Sequence, residues 1–327
     1  MIISKTPFRI SFFGGGTDYP DWYKENSGAV LSTTIDKYCY ITLRYLPPFF
    51  EHKHRIVYSL VEEVNNIDEI GHPVVRALLK LFKVKKGVEV HHDGDLPARS
   101  GLGSSSAFTV GMLNSMYALK GKIISKPDLA KEAIHIERGI LKENVGSQDQ
   151  VAVAYGGFNK IIFKNDHNFI IEPMTFSKER MLSLESCLML VFTGLSRFSS
   201  DIAAEQIKNT PNNKKELKLM REIVDRAVVI LNSKTNINEF GKLLHETWQL
   251  KKKLSQKISN QTVDQIYEKA LRGGALGGKL LGAGGGGFML LFVPPEKRSK
   301  VKRELNKFLE VKFSFEKNGS QIIYYNP

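Results

Sequence analysis

Apolar and polar positions divide the chain into alternating strand-like and helix-like stretches. Ile2–Lys5 and Phe8–Phe13 predict a pair of strands interrupted at Pro7, and 29–46 and 55–64 are rich in the Val, Ile, Tyr and Thr of strands. From Asp68 to Phe82 the pairs Val74/Val75, Leu78/Leu79 and Leu81/Phe82 recur at helical spacing, and Gly87–His92 again reads as strand. The run from Ala107 to Leu119 has almost no polar face, which predicts a buried helix. Ser125-Lys-Pro-Asp128 is a capping box with proline in the first turn, and opens a helix with the stripe Ala130, Ala133, Ile134, Ile140 and Leu141. Strands at 158–163 and 168–172 precede a boundary expected near 175–182, giving domains 1–178 and 179–327. The second half predicts a strand at Cys187–Phe192, helices at about 199–208, 214–233, 238–255 and 260–272, and a strand-like Phe288–Val293. A helix over Pro295–Leu309 and two short strands then end the chain.

Composition narrows the class. With 327 residues and 42% hydrophobic content the chain can bury sizeable cores, and its length favours two domains. No apolar run reaches membrane-span length, the start shows no signal-peptide layout, and two cysteines make no disulfide framework. The expectation is a cytoplasmic protein, monomeric or homodimeric, with no membrane partner. The net charge of +13 raises nucleic acid as a partner. Its basic runs, at Lys214-Lys215, Lys251-Lys252-Lys253 and 296–303, read more simply as solvated helix faces, with no zinc-finger or RNA-stacking motif beside them. The expected partners are therefore small anionic molecules.

The candidate chemistry lies in three glycine-rich stretches and an acidic pair. Pro97-Ala-Arg-Ser-Gly-Leu-Gly-Ser-Ser-Ser-Ala107 opens the buried helix, where free N–H groups and the helix dipole favour a phosphate. A serine there is placed to cap the helix. Gly14-Gly15-Gly16-Thr17-Asp18-Tyr19-Pro20 permits close backbone approach, with Asp18 placed to cap a short helix near Pro20. Glu137 falls within the apolar stripe of its helix, about 20° from Ala130 at ~100° per residue. A carboxylate there must be paired, protonated or bound to metal. Asn144-Val-Gly-Ser-Gln-Asp149-Gln150 carries an aspartate to the start of another helix. Gly273–Gly278-Lys279 has Walker A spacing but Leu280 where Ser or Thr is required, and Gly282-x-Gly284-x-x-Gly287 runs into a strand where a dinucleotide fingerprint needs a helix. The pairs His91/His92 and His52/His54 lack metal-ligand geometry or a carboxylate partner.

These stretches, in this order, resemble the three motifs of the small-metabolite kinases named for galactokinase, homoserine kinase, mevalonate kinase and phosphomevalonate kinase (GHMP). Pro97–Ala107 resembles the second motif with one extra serine. Arg9, Gly14, Thr17, Asp18 and Tyr19 match the first motif in its sugar-kinase form. Gly15-Gly16 replaces Glu-His, a form similar to that of bacterial heptose phosphate kinases and close to the fucose kinases. Lys279, Gly282, Ala283 and Gly284–Gly287 match the third motif. Gly146, Asp149 and Gln150 match the segment carrying the catalytic aspartate, with Asn144 in place of its cysteine, and the step from Glu137 to Asp149 fits the family spacing.

The resemblance implies an α+β fold of two domains. The first would be like domain 2 of ribosomal protein S5, the second ferredoxin-like, with ATP, Mg²⁺ and a sugar phosphate in the cleft between them. It implies phosphate binding by Arg99, Ser100, Gly101, Leu102, Gly103, Ser104, Ser105 and Ser106, and a metal on Glu137 and Ser106 (or Ser105, one register away). Asp149 would act on the acceptor hydroxyl, with Arg9 balancing charge. Gly15, Gly16, Thr17, Asp18, Tyr19, Gly284, Gly285 and Gly286 would face the sugar, and Ser196 with Arg197 would clamp a phosphate at its far end. The acceptor so implied is a heptose 7-phosphate, taken at its anomeric hydroxyl for surface-polysaccharide synthesis. A neutral sugar such as fucose, or a non-catalytic sugar- and ATP-binding sensor, are the competing expectations.

Overall fold

The computed structural model describes residues 1–165, 168–195 and 199–327, with Ser199 and Ser200 described by their backbone alone. The first half runs β1 (Ile2–Phe13), α1 (Pro20–Tyr23), β2 (Gly28–Tyr45), β3 (His54–Val57), β4 (Val61–Val64), α2 (Pro73–Leu81), β5 (Val88–Gly94), α3 (Ser104–Leu119), α4 (Lys126–Ile134), α5 (Gln148–Tyr155), β6 (Phe158–Phe163) and β7 (Phe169–Pro173). The second half runs α6 (Lys178–Cys187), β8 (Leu188–Phe192), α7 (Ser199–Asn209), α8 (Lys214–Asn232), α9 (Asn238–Lys253), α10 (Gln261–Gly273), β9 (Gly277–Leu280), β10 (Phe288–Phe292), α11 (Arg298–Glu304), β11 (Glu310–Val311), β12 (Phe315–Glu316) and β13 (Gln321–Tyr325).

Two sheets result. In the first, the main path is β13-β1-β2-β5-β3-β4, with β6 and β12 also paired to β2, and β7 to β6. The long strand β2 pairs β6 over Gly28–Thr33 and β5 over Cys39–Tyr45. Its first eight residues are buried throughout, packed against α3, α5 and α8. The second sheet has the antiparallel order β11-β8-β10-β9, so its four strands stand fourth, first, third and second, the ferredoxin-like arrangement. Helices α9 and α10 pack on it, and α8 links α9 to β1 and β2 of the first sheet. Buried apolar side chains form one continuous core through both halves, Trp248 of α9 among them. The two-domain mixed helix-and-sheet fold expected from the sequence is the fold observed.

Several local expectations are corrected. Pro7 does not end a strand: β1 continues through it, with the register to β2 shifting between Pro7 and Phe8. A proline without an N–H is tolerated in a ladder at such an irregularity. The helix expected from Asp68 begins at Pro73, because Ile67–Glu69 close a separate turn on the Asn66/Glu69 capping box. The helix expected over 125–141 stays α-helical only to Ile134 and is π-wound from His135 to Ile140. Within the stretch 175–182, α6 begins at Lys178, capped by Ser177. Gly277–Leu280, to which the pattern assigned no element, is a strand at the sheet edge. The final helix is shorter than expected, ending at Glu304. The last residues, assigned to the second half by a division at 178/179, return to the first sheet: Phe315–Glu316 pair β2 and Gln321–Tyr325 pair β1.

Candidate active site

The glycine-rich turns meet in an open cleft of about 1090 Å³ between the two sheets. One wall is the start of α3. Its N-cap is Gly103 at φ 74°, a left-handed conformation that glycine adopts without strain. No serine side chain caps the helix, contrary to expectation, and Ser104 Oγ instead accepts from Arg99 N at 3.1 Å. The first N–H groups of α3 therefore have no intrahelical partner, an arrangement suited to an anion. Arg99, Gly101, Gly103 and Ser104–Ser106 line the cleft. Ser100 and Leu102 do not: both are buried, their carbonyls accepting from Phe288 N and Arg9 N.

Across from this helix start stands a bidentate ion pair. Arg9 Nε and Nη2 donate to the two oxygens of Asp149 at 2.8 and 2.7 Å, and Nη1 donates to Gly101 O at 2.7 Å. Arg9 comes from the middle of β1 and is 3% exposed; Asp149 comes from the first turn of α5 and keeps a quarter of its surface open to the cleft. The Arg9 guanidinium thus fixes both the carboxylate and the glycine turn that precedes α3.

Glu137 is fully buried on the π-wound segment. Burial pushes its carboxyl up to about 7, against hydrogen bonds from Thr109, Gln150 and Ser106 that favour the charged form. Ser106 Oγ donates to its Oε2 at 3.0 Å, and Gln150 Nε2 donates to the same oxygen, while Oε1 is buried with no partner. An orphaned carboxylate oxygen beside a hydroxyl at the start of α3 fits a hard divalent cation that would complete its shell with water and phosphate oxygens. No cluster of three His, Cys, Asp or Glu occurs among the described residues, so the protein's share of such a site is Glu137 and its serine neighbour.

The turn after β1 forms the opposite wall. Gly15, Gly16, Asp18 and Tyr19 line the cleft. Asp18 does not cap α1, whose N-cap is Tyr19. Its carboxylate instead accepts from Gly16 N at 2.9 Å and Gln148 N at 3.4 Å, closing the turn onto the start of α5. Burial and the neighbouring Asp149 charge raise the Asp18 carboxyl above the ordinary range, with the backbone donors opposing. Thr17 is spent internally: its hydroxyl donates to Gly14 O and Ala29 O and accepts from Ala29 N, away from the cleft. Of the third glycine stretch, Gly284 and Gly286 line the cleft, whereas Gly285 is turned to Ile258 O and Asn260. Ser196 and Arg197 lie outside the described residues.

Two lysines complete the floor. Lys279 Nζ donates to Ser11 O at 2.9 Å and Phe12 O at 3.0 Å. Lys251 Nζ donates to Leu280 O at 2.9 Å and Gly282 O at 2.5 Å. Lys279 belonged to a recognised motif, but Lys251 was read as part of a solvated basic run. Its helical phase carried the missed signal, because Leu244, Trp248 and Lys251 share one face and the first two are fully buried.

Two family models, for the GHMP kinases N terminal domain and the GHMP kinases C terminal domain, match residues 70–157 and 228–311. A D-glycero-alpha-D-manno-heptose 7-phosphate kinase of Campylobacter jejuni is 31% identical over 97% of both chains. A galactokinase of Pyrococcus furiosus is 27% identical over 96% of this chain and 95% of its own. Among solved structures, a D-glycero-D-manno-heptose 1-phosphate kinase from Bacteriodes thetaiotaomicron superposes with TM-score 0.81 over the whole of both chains at 23% identity.

Proposed function

The chain belongs to the GHMP kinase family and is a sugar kinase, and from that premise we propose that it transfers the γ-phosphoryl group of ATP to D-glycero-D-manno-heptose 7-phosphate. The anomeric hydroxyl would be the acceptor and the 1,7-bisphosphate the product. The reading is carried by 31% identity to a named heptose 7-phosphate kinase across 97% of both chains. It is supported by the Arg9–Asp149 pair facing the start of α3 across the cleft.

Each residue then has a task. Backbone N–H groups at Ser104–Ser106 hold the ATP phosphates, with Gly101 and Gly103 permitting close approach. Glu137 and Ser106, or Ser105 one register away, would hold Mg²⁺, which when bound supplies charge neutralisation on the phosphates. Asp149 accepts the hydrogen of the acceptor hydroxyl. Both its oxygens already accept from Arg9, but a carboxylate has about four lone-pair sites, so one remains for the sugar. As the sugar oxygen bonds to the γ-phosphorus, the bond to the bridging oxygen breaks, ADP leaves, and Asp149 orients or takes the proton. Gly15, Gly16, Asp18 and Tyr19 face the sugar from one side, and Gly284 and Gly286 from the other. Ser196 and Arg197 are proposed for the 7-phosphate.

ADP release with MgATP across a panel of sugars tests this. D-glycero-D-manno-heptose 7-phosphate, mannose 6-phosphate and sedoheptulose 7-phosphate stand against fucose, galactose and mannose, with Asp149→Ala as control. Turnover restricted to the heptose phosphate, and lost in the variant, is the expected result. Turnover of fucose alone would retain the chemistry and remove the phosphorylated acceptor. No turnover of any sugar would remove the proposed substrate class.

A further inference from the structure

Four basic side chains line the cleft, Arg9, Arg99, Lys251 and Lys279, together with two carboxylates, Asp18 and Asp149. Arg9 and Asp149 are paired with each other. Asp18 is occupied by backbone donors, and neither lysine has a carboxylate within ion-pair distance among the described residues. Both lysine side chains are buried, at 6% and 2% exposure. Their only hydrogen bonds among the described residues go to carbonyl oxygens, two apiece. An ammonium has three N–H donors, so each retains one, and each faces the cleft that the acceptor would enter.

A purely structural role accounts poorly for this pair. Two carbonyls can be satisfied by a neutral amide, whereas burying two unpaired ammoniums beside a guanidinium is costly and mutually repulsive. The cost is offset when an anion occupies the space between them. We propose that Lys251, with Lys279, is the anion-recognising floor of the acceptor subsite. The inference rests on the phosphorylated-acceptor reading above and adds the residue that enforces it.

The groups facing Lys251 are Arg9 from β1, Asp18 from the turn after it and Lys279 from β9. Burial, and after it the nearby Arg9, lower the Lys251 ammonium to about 7, with Asp18 opposing. Lys279 is lowered well below the ordinary lysine value, first by burial and then by Lys251 itself. At pH 8 the empty site therefore holds Lys251 largely neutral. A phosphate monoester, whose second pKa is about 6, arrives as a dianion with no proton to give. The proton that charges Lys251 must come from buffer.

Titration calorimetry of the heptose phosphate at pH 8, in two buffers of different ionisation enthalpy, reads that proton directly. The wild type is expected to take up protons on binding, and Lys251→Met fewer. In kinetics, Lys251→Met is expected to raise KM for the phosphorylated acceptor by roughly 30-fold or more, as for losing one partner of a buried charge pair, with KM for ATP little changed. Lys251→Arg, always charged, is expected to bind with less proton uptake than the wild type, and gives a readout if the Met variant fails to fold. Proton uptake undiminished in Lys251→Met, or equal losses for ATP and acceptor, would make Lys251 a pin for the Leu280–Gly282 backbone and overturn the inference. Turnover of fucose with no binding of the heptose phosphate would overturn the reading beneath it. Turnover of the heptose phosphate with no uptake would overturn the inference alone.

Discussion

At the scale of single residues, the cleft is built from groups whose burial conflicts with their charge, and Glu137 shows how that conflict can be measured. Its carboxyl is raised from an ordinary 4.5 to about 7, chiefly by burial. A group whose folded pKa is raised stabilises the fold fully below its unfolded value and loses that contribution as pH climbs through the folded one. In metal-free protein the free energy of unfolding should therefore fall between about pH 5 and pH 8, by on the order of 1–3 kcal/mol from this residue. Glu137→Gln keeps a group able to accept from Ser106 and Gln150 and removes the charge. Its urea unfolding in chelator should lose that part of the pH dependence, while its turnover with MgATP falls. An identical pH slope in both proteins would assign the effect to other groups. Arg9 and Asp149 were legible in the sequence because each occupies a fixed place in a short motif, and Glu137 because a carboxylate falls within the apolar stripe of its helix. Lys251 was hidden in a run of three lysines, where only helical phase separates the buried one from its solvated neighbours. Thr17 and Gly285 show the opposite limit: a motif names the turn, and only the fold shows which of its members face inward.

At the scale of elements, strand and helix identities followed from periodicity, and the departures came where local chemistry outweighed it. Glu137 was expected inward from a 3.6-residue repeat. It is inward on a π-wound segment, closed by Leu141 N donating to Ile136 O at 2.9 Å, a winding with no period to read in six residues. Gly277–Leu280 carried no strand signal because glycine is depleted in strands, yet its place between β10 and α9 leaves little room for side chains. The third glycine stretch meets the second at its Gly282. That residue has φ 71°, and a Cβ there would lie 2.6 Å from Gly101 Cα. Gly282→Ala combines left-handed strain of about 1–2 kcal/mol with the parting of two backbones, so stability should fall by about 2 kcal/mol or more. Gly101 O also holds Arg9, so turnover should fall with it. The check is thermal unfolding beside kcat. A variant as stable and as active as wild type would mean that the two turns need not touch.

At the scale of the whole molecule, the chain's end packs with its beginning, and this ties the tail to α5. Ser314 O accepts from Asp36 N at 3.0 Å, Glu316 O accepts from Thr34 Oγ1 at 2.7 Å, and Ser320 N donates to Val153 O at 2.9 Å. Val153 lies in the last turn of α5, the helix whose first turn carries Asp149. The Phe315 ring meets Phe12 and Phe158 edge-on at centroid distances of 6.3 and 5.6 Å, closing the aromatic core beneath β1 and β6. The tail thus braces the first sheet and the far end of the helix that presents Asp149. Phe315→Ala removes a half-buried aromatic and should cost about 2–3 kcal/mol, somewhat under the range for fully buried rings. Its effect should also be local. Amide hydrogen exchange should quicken in β2 around Thr34–Ile35, in β6 and in α5, while β8 and β10, joined to each other over Leu188–Phe192 and Phe288–Phe292, keep their protection. With α5 less firmly held, kcat should fall more than KM for ATP, since the start of α3 is untouched. Faster exchange confined to β8 and β10 would instead place the tail's energetic role in the second half and cut its link to Asp149.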